Sequence, residues 1–295
     1  MLALAIVLVV AAARWVERGS DEEVTAVTTT IPDVQRASTE WRLAWSDDFD
    51  GPALDPQKWR VENSRFGHGN DELQCYTPNN VRLGDGQLIL EARRETVRCP
   101  QQDQPFTSGM IRGNIAVRQG AVEIRAKMPS GAGLLPALWM LPVERVYGPD
   151  GKSGEIDILE VNTTKPDVAH GTLHWHYPDC GWGCSRYGGQ YAVGEPGLDE
   201  EFHTYRLEWS PGRIAWFVDN IGYYELGDQA PRQWASRGVN AVAGSVEYPK
   251  PFDEQNPMYL ILNVAVGGKW PGTPPAGTRF PTAMAVDWVK VYEPG

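Results

Sequence analysis

Positive charge is scarce in this chain. The 295 residues carry 27 Lys and Arg against 38 Asp and Glu, which gives a formal net charge of −11 at pH 7. An acidic protein repels phosphate backbones and other polyanions. The sequence also has no basic patch interleaved with aromatic residues and no glycine-rich phosphate loop. These absences argue against nucleic acids, anionic membranes and highly sulfated molecules as partners, and they favour a neutral one.

Apolar runs long enough to span a bilayer are also missing. The apolar run at residues 2–13 is shorter than the roughly 20 residues that a transmembrane helix needs. It is typical of the apolar core of a secretion signal, although no basic residues precede it, which an upstream start or an atypical signal would explain. We therefore predict a signal peptide or short apolar segment at 1–13, a polar linker at 14–40 and one large domain at 41–295. The protein is expected to be secreted, monomeric and without a stable membrane span.

Cysteine is limited to four residues, which suits an oxidising compartment. Cys180 and Cys184 are close enough in sequence to suggest a metal site, but no matching His or Cys pair follows at zinc spacing. We therefore predict a short-loop disulfide between Cys180 and Cys184. Cys75 and Cys99 are then the default second bridge.

Long amphipathic helical stretches are absent, and short apolar–polar alternations recur instead. Turn residues, including Asp85-Gly86 and Asp219-Asn220, separate them. The alternating segments are 88–92, 120–127, 155–161, 205–209, 213–218, 259–266 and 286–292. Many short strands joined by regular turns predict an all-β sandwich.

The most informative segment is Glu-Ile-Asp-Ile-Leu-Glu at 155–160. As a strand, it places Glu155 and Asp157 on one face, whereas plain alternation would turn Glu160 into the apolar side. Burying a lone carboxylate there is costly. A β-bulge at 158–159 would return Glu160 to the face of the other two acids. Such acids are usually only a solvent face, but three like charges on one face do not stabilise a strand. Two carboxyls facing one space are what cleavage of a glycosidic bond requires.

This segment and its surroundings resemble glycoside hydrolase family 16, and within it the laminarinase-type branch of endo-β-1,3-glucanases. Seven blocks in family order carry the resemblance: 45–49, 70–77, 120–129, 136–142, 170–175, 259–268 with 270–272, and 286–292. The resemblance implies a β-jelly roll of two curved antiparallel sheets with a concave substrate cleft. It implies hydrolysis of a neutral β-glucan without a catalytic cofactor.

The resemblance also implies catalytic roles. Glu155 is the expected nucleophile and Glu160 the expected general acid/base, in a retaining double displacement. Asp157 lies between them, and we expect its charge to raise the pKa of Glu160.

Substrate-binding residues are predicted from polar and aromatic side chains, most of them in the matching blocks, with Arg112 as a further polar candidate and Trp182 as an aromatic residue in a loop rich in Gly and Pro. His174 shares a strand face with His170, Thr172 and His176 and is expected to touch the substrate or the acid/base. Trp139 is a core residue or a stacking platform, and a solvated loop is the alternative for several of the polar residues. The full set of predicted binding residues is Asn70, Glu72, Arg112, Trp139, His174, Trp175, Trp182, Asn263 and Trp270.

Three family features need a test in this chain. Leu135 and Asp150 stand where the family often has Trp platforms for sugar rings. The resemblance therefore does not decide which polysaccharide this chain prefers. The family's structural calcium site is matched by Asp48, Gly86 and Asp287, and hard oxygen ligands suit calcium. Asp287 on a strand end at the surface is the plain alternative.

Two other functions stay open. One is a hydrolase of another backbone, such as a mixed-linkage glucan or an agar-type galactan, which Leu135 and Asp150 leave open. The other is a glucan-recognition protein without catalysis, which the presence of Glu155, Asp157 and Glu160 opposes.

Overall fold

The protein was analysed in a computed structural model that describes residues 40–100, 102–149, 151–177, 181–227 and 251–295, with side chains described outside 176–187. The predicted segment at 1–13, the linker through residue 39, Asp150 and Cys180 lie outside these ranges. No helical segment within them has the length and apolarity of a bilayer span.

Two antiparallel sheets form the body of the fold. The first sheet has eight strands, namely β1 (Trp41–Asp47), β4 (Val81–Gly84), β5 (Gln87–Ala92), β10 (Gly120–Lys127), β15 (His203–Ser210), β16 (Arg213–Val218), β17 (Ile221–Gly227) and β19 (Thr282–Pro294). Its order is β17-β16-β15-β10-β19-β5-β4, with β1 also paired to β19.

The second sheet has seven strands and carries the acidic segment in its middle. Its strands are β2 (Trp59–Val61), β9 (Met110–Gly113), β11 (Leu134–Pro142), β12 (Glu155–Glu160), β13 (Val168–Tyr177), β14 (Gly181–Ala192) and β18 (Met258–Val266). Its order is β14-β13-β12-β11-β18-β9-β2. Strands distant in sequence are therefore neighbours in this sheet.

Smaller elements complete the part of the fold that the structure describes. They are the parallel pair β3 (Gln74–Tyr76) and β8 (Phe106–Ser108), the antiparallel pair β6 (Val97–Cys99) and β7 (Gln102–Gln104), and 3-10 turns at His68–Asn70 and Pro78–Asn80.

The core lies between the two sheets and is built by alternation along the strands. On β5, Leu88 and Leu90 are fully buried, whereas Gln87, Ile89 and Glu91 are partly exposed. Three fully buried Trp residues, Trp59, Trp209 and Trp216, supply the largest side chains. Each large apolar side chain removed from water stabilises the fold by roughly 1.5–3 kcal/mol. The predicted all-β sandwich of antiparallel sheets is confirmed.

Candidate active site

Strand β12 carries one residue more than the matching stretch of β13. Asp157 lies opposite Thr172, and the next pair joins Glu160 to His170. Three steps along β12 therefore correspond to two steps along β13. The β-bulge predicted at 158–159 is confirmed.

Pairing with β11 on the other side identifies the extra residue. Leu159 lies opposite Leu138. The next pair joins Asp157 to Trp139, so Ile158 has no residue opposite it. The bulge therefore consists of Ile158 inserted between two regular pairs.

The bulge brings the three acids to one face. The residues opposite the three acids are His174, Thr172 and His170. They are every second residue of β13 and therefore point to the same side of the sheet. Paired residues in an antiparallel ladder point to the same side of the sheet. Glu155, Asp157 and Glu160 therefore share the face turned away from the core. The apolar residues between them belong to the core, and these are Ile156, Ile158 and Leu159.

Gly154 sets the entry into this strand. Its φ of 78° lies in the left-handed region that glycine adopts without strain. A Cβ at this position would lie 2.8 Å from the Phe252 ring. The backbone can therefore turn tightly into Glu155 only because residue 154 lacks a side chain.

Asp157 is the most enclosed of the three acids. Its side chain is buried, whereas Glu155 and Glu160 are partly exposed. The Nε2 atom of His174 lies 3.2 Å from its Oδ2 atom. One ligand atom from each of Glu155, Asp157 and His174 falls within 4.8 Å of the others. The three groups therefore lie close enough for the charge on one to affect the others.

The surroundings favour a protonated Glu155. Burial raises the pKa of Glu155 well above its ordinary value. The negative charge of Asp157 raises this pKa further, His174 opposes the rise, and Glu160 adds a smaller increase. An ionised Glu155 therefore depends on its neighbours, and His174 is the group that lowers its pKa.

A hydrogen-bonded chain extends this face across β11, β18 and β3. The Nε1 atom of Trp139 donates to Oδ1 of Asn263 at 2.7 Å, and Nδ2 of Asn263 donates to the Tyr76 hydroxyl at 3.0 Å. The amide of the buried Asn263 is thus used to hold Trp139 and Tyr76. Tyr76 was not predicted as a site residue, although it lies in the matching block 70–77.

Asn70 and Glu72 meet in one polar cluster beside this chain. Nδ2 of Asn70 donates to Oε1 of Glu72 at 3.2 Å, and Nε2 of Gln74 donates to Oε2 at 2.8 Å. Burial raises the pKa of Glu72, while the two amides oppose the rise. Burial and the nearby charge of Glu72 also raise the pKa of Tyr76 well above its ordinary value. The structure therefore places these residues in ordered contact, whereas the solvated-loop alternative expected free side chains.

Arg112 lies on the same sheet face, on β9. It pairs with Glu62 at 2.7 Å, and its guanidinium lies 4.9 Å from the centre of the Phe66 ring. Phe66 in turn contacts Trp139, with ring centres 5.9 Å apart. Arg112 is therefore fixed beside the aromatic surface of Trp139.

Trp270 presents an exposed ring near the other end of the acid row. Its side chain is 40% exposed. It meets His170 edge to face, with ring centres 4.9 Å apart, and His170 lies opposite Glu160. An exposed indole next to an acid is a suitable platform for a sugar ring.

The structure corrects the prediction for Trp175. This residue is on β13 next to His174, so alternation turns it to the opposite face. Trp175 is only 7% exposed and packs against Phe252 within the core. It therefore lies away from the face that carries the acids.

Leu135 lies on the acid-bearing face but is only 7% exposed. Leu135 lies opposite Ala265 of β18. It is two residues before Ala137 on β11, and Ala137 lies opposite Glu160. The other predicted Trp replacement, Asp150, lies outside the described residues. The side chains of Trp182 and Cys184, and all of Cys180, also lie outside them, so the Cys180–Cys184 bridge stays a prediction.

The predicted disulfide and calcium residues lie outside the acidic strand β12. Cys75 and Cys99 are joined by a disulfide, with Cα atoms 5.8 Å apart. One oxygen of Asp287 lies 2.6 Å from Nη1 of Arg125, whose positive charge reduces what this carboxylate offers to a cation. Asp48 is exposed, and Gly86 is in a turn with a φ of 70°. Calcium binding at these residues stays a prediction.

Trp216 contacts the bulge from the opposite sheet. Its Nε1 atom donates a hydrogen bond of 2.8 Å to the backbone carbonyl of Asp157. Sequence analysis placed Trp216 on a strand, but nothing in the sequence pattern indicated its contact with the acidic segment.

Known proteins resemble this chain over most of its length. The family model described as Glycosyl hydrolases family 16 matches residues 69–290. A protein named Beta-glucanase from Rhodothermus marinus is 41% identical over 263 residues, covering 85% of each chain. A protein named Glucan endo-1,3-beta-glucosidase from Cryptopygus antarcticus is 36% identical, covering 85% of this chain and 88% of that protein.

A solved structure gives the same picture. The endo-beta-1,3-glucanase from Pyrococcus furiosus superimposes with a TM-score of 0.73 at 35% identity, covering 89% of this chain and 98% of that one. The bulged acidic strand therefore lies in a chain that belongs to glycosyl hydrolase family 16.

Proposed function

We propose that this glycoside hydrolase cleaves internal β-1,3 linkages of a neutral, laminarin-like glucan with retention of anomeric configuration. The bulge of β12 is the observation that carries the proposal, because it sets three carboxyl groups on one face. The exposed ring of Trp270 and the fixed ring of Trp139 flank that face. The names of the relatives from Cryptopygus antarcticus and Pyrococcus furiosus support the β-1,3 linkage.

The first chemical step joins the sugar to Glu155. A carboxylate oxygen of Glu155 attacks the anomeric carbon, and the bond from that carbon to the leaving oxygen breaks. Glu160 gives its proton to the leaving oxygen, so the departing glucan leaves as a neutral alcohol. The influence of His174 lowers the pKa of Glu155 and so favours the ionised form that attacks.

The second step releases the sugar. Glu160 takes a proton from water, and the water oxygen attacks the anomeric carbon. The ester bond to Glu155 breaks and returns its carboxylate. Two inversions at one carbon restore the original configuration.

The linkage is tested with a panel of purified laminarin, curdlan, lichenan and agarose, measured by reducing ends and by chromatography of the products. We expect laminarin to give the highest kcat/KM and to yield short oligosaccharides from internal cleavage. Faster cleavage of lichenan or agarose than of laminarin would contradict the β-1,3 assignment.

Leu135 gives a specific reason to keep another backbone as the second candidate. A leucine in place of a tryptophan removes a flat platform from the acid-bearing face, and aromatic platforms help to select a sugar orientation. The same panel decides between these substrates. Binding without cleavage by the unmodified protein would support the recognition function instead.

We also infer export from the cell. The apolar run at 1–13 and the disulfide between Cys75 and Cys99 support this inference, because disulfides persist mainly in oxidising compartments. A monomer is our proposal for the oligomeric state, and light scattering of the purified protein tests it.

A further inference from the structure

We propose that Trp216 is a positioning residue for catalysis, which holds the bulge of β12 in place from the opposite sheet. A bulge interrupts the regular ladder, so the peptide next to the extra residue is a place where an added hydrogen bond can fix the backbone. The Asp157 carbonyl obtains one from Nε1 of Trp216 at 2.8 Å. This proposal rests on the proposed function only because turnover is one of its two readouts.

The surrounding residues fix the indole in this position. Trp216 is fully buried, and its ring centre lies 5.4 Å from that of Tyr224. Gly171 on β13 leaves the space that the indole occupies, because a Cβ there would lie 2.3 Å from Cδ1 and 2.7 Å from Nε1 of Trp216. The indole therefore reaches the acidic sheet only where a glycine admits it.

The hydrogen bond from Trp216 lies next to the extra residue that turns Glu160 to the face of Glu155 and Asp157. Ile158 is the extra residue, and it follows the held carbonyl directly. If that peptide rotated, Glu160 would be the acid to move relative to Glu155. A displacement of about 1 Å at reacting groups can cost on the order of 100-fold in rate. Trp216 is a core residue whose N–H donates to the Asp157 backbone carbonyl, so its effect passes through the backbone.

Trp209 provides a matched control. It is also a buried core tryptophan of the same sheet, and its Nε1 donates to a backbone carbonyl at 3.0 Å. That carbonyl belongs to Phe252, in the loop before β18. Trp209→Phe and Trp216→Phe therefore delete the same chemical group, but only the second contact reaches the bulge.

The experiment compares both variants in the full chain, with kinetics on the polysaccharide that the unmodified protein cleaves best. We expect Trp216→Phe to lower kcat at least tenfold with KM within about twofold of the parent. Trp209→Phe should keep kcat within about twofold at a similar loss of thermal stability. Equal losses of kcat in the two variants, or a change confined to KM, would overturn the proposal.

Hydrogen exchange measured by mass spectrometry gives a readout that does not need turnover. Backbone amides of peptides spanning 155–161 should exchange faster in Trp216→Phe than in Trp209→Phe. Unchanged exchange in this segment would overturn the proposal, whereas a different preferred polysaccharide would contradict only the proposed linkage.

A shape-conserving replacement covers the case in which Trp216→Phe does not fold. Site-specific replacement of Trp216 by 3-benzothienylalanine keeps the bicyclic ring and exchanges the N–H for sulfur. We expect this protein to fold, to lose kcat and to show the faster exchange. Full kcat with normal exchange would show that the N–H does not hold the bulge.

Discussion

Glu155 faces two opposing requirements. As a nucleophile it must be ionised, yet burial and the charge of Asp157 raise its pKa. A carboxyl whose folded-state pKa is raised contributes stability below its unfolded pKa of about 4.3 and loses that contribution as pH rises through the folded value. In its proposed role as the ionised nucleophile, Glu155 therefore destabilises the folded protein relative to a carboxyl with an unshifted pKa.

Replacing Glu155 by Gln separates the two effects. We expect Glu155→Gln to reduce glucan hydrolysis by at least ~10³-fold, because the nucleophile is lost. Its free energy of unfolding should rise relative to the parent between pH 5 and pH 8, by about 1.4 kcal/mol for each unit of the pKa shift. Urea unfolding at several pH values measures the difference.

The exposed acid Glu201 supplies the control for this comparison. Glu201→Gln should follow the parent's pH dependence of stability and keep full activity. A Glu155→Gln protein that becomes less stable than the parent as pH rises would contradict the assigned direction of the shift.

Trp270 should act on binding more than on chemistry. Its ring is 40% exposed and adjoins His170 beside Glu160. We expect Trp270→Ala to raise KM about fivefold, which corresponds to about 1 kcal/mol. The value of kcat should stay within about twofold if the ring binds ground and transition states equally.

Trp288 is the matched control for Trp270. It lies on the eight-stranded sheet, where the Lys290 ammonium is 4.1 Å from its ring centre. Trp288→Ala should leave KM unchanged. An unchanged KM in well-folded Trp270→Ala protein would show that this ring does not contact the substrate.

The element that matters most is β12, because one inserted residue decides which way an acid points. Deleting Ile158 would leave Leu159 opposite Leu138 and convert the segment to regular alternation with both glutamates on one face. We expect this deletion to fold with reduced but measurable hydrolysis, since removing Ile158 also shifts the Asp157 carbonyl to which the Trp216 N–H donates. Circular dichroism and laminarin hydrolysis test both parts.

Deleting Ile156 instead gives the control for the bulge. Ile156 has a regular opposite residue, Met140, so its loss puts the whole strand out of phase. This second deletion should unfold the protein or abolish hydrolysis completely. Equal behaviour of the two deletions would contradict the role assigned to the bulge.

The same strand shows how much of the site the sequence could predict. The spacing of the three acids predicts a bulge, since otherwise Glu160 would be buried among the apolar residues. The alternation of side chains along a strand is enough to make this prediction. The contact of Trp216 with Asp157 could not be predicted, because it joins two sheets through the core across 59 positions of sequence. The prediction that Trp175 binds substrate was wrong because it followed from the aromatic side chain and not from strand alternation, which turns Trp175 into the core.

At the scale of the whole molecule, strands of distant sequence meet around the site, and a disulfide fixes one border. Cys75 belongs to β3, between Gln74 and Tyr76, and Cys99 ends β6. A bridge across 24 positions should stabilise the protein by about 3 kcal/mol through the entropy of the unfolded chain. The double variant Cys75→Ser, Cys99→Ser should show this loss in urea unfolding.

The fold of the whole molecule was more predictable than its contacts. Alternating strands and turns indicate a sandwich because the two-residue period is local. The order β14-β13-β12-β11-β18-β9-β2 depends on long-range pairing, which only the family resemblance could anticipate. The chain Trp139–Asn263–Tyr76 depends on that order and was therefore not predicted as a unit.

The proposed mechanism requires the bulged strand to present Glu155 as the nucleophile of a retaining hydrolase. The most direct measurement uses a 2-deoxy-2-fluoro laminaribiosyl donor with a good leaving group, followed by peptide mass mapping of the intact enzyme. We expect one added fluorosugar, joined by an ester to Glu155. A stable protein that turns over laminarin but carries the label on Asp157 or Glu160, or carries no label, would contradict it.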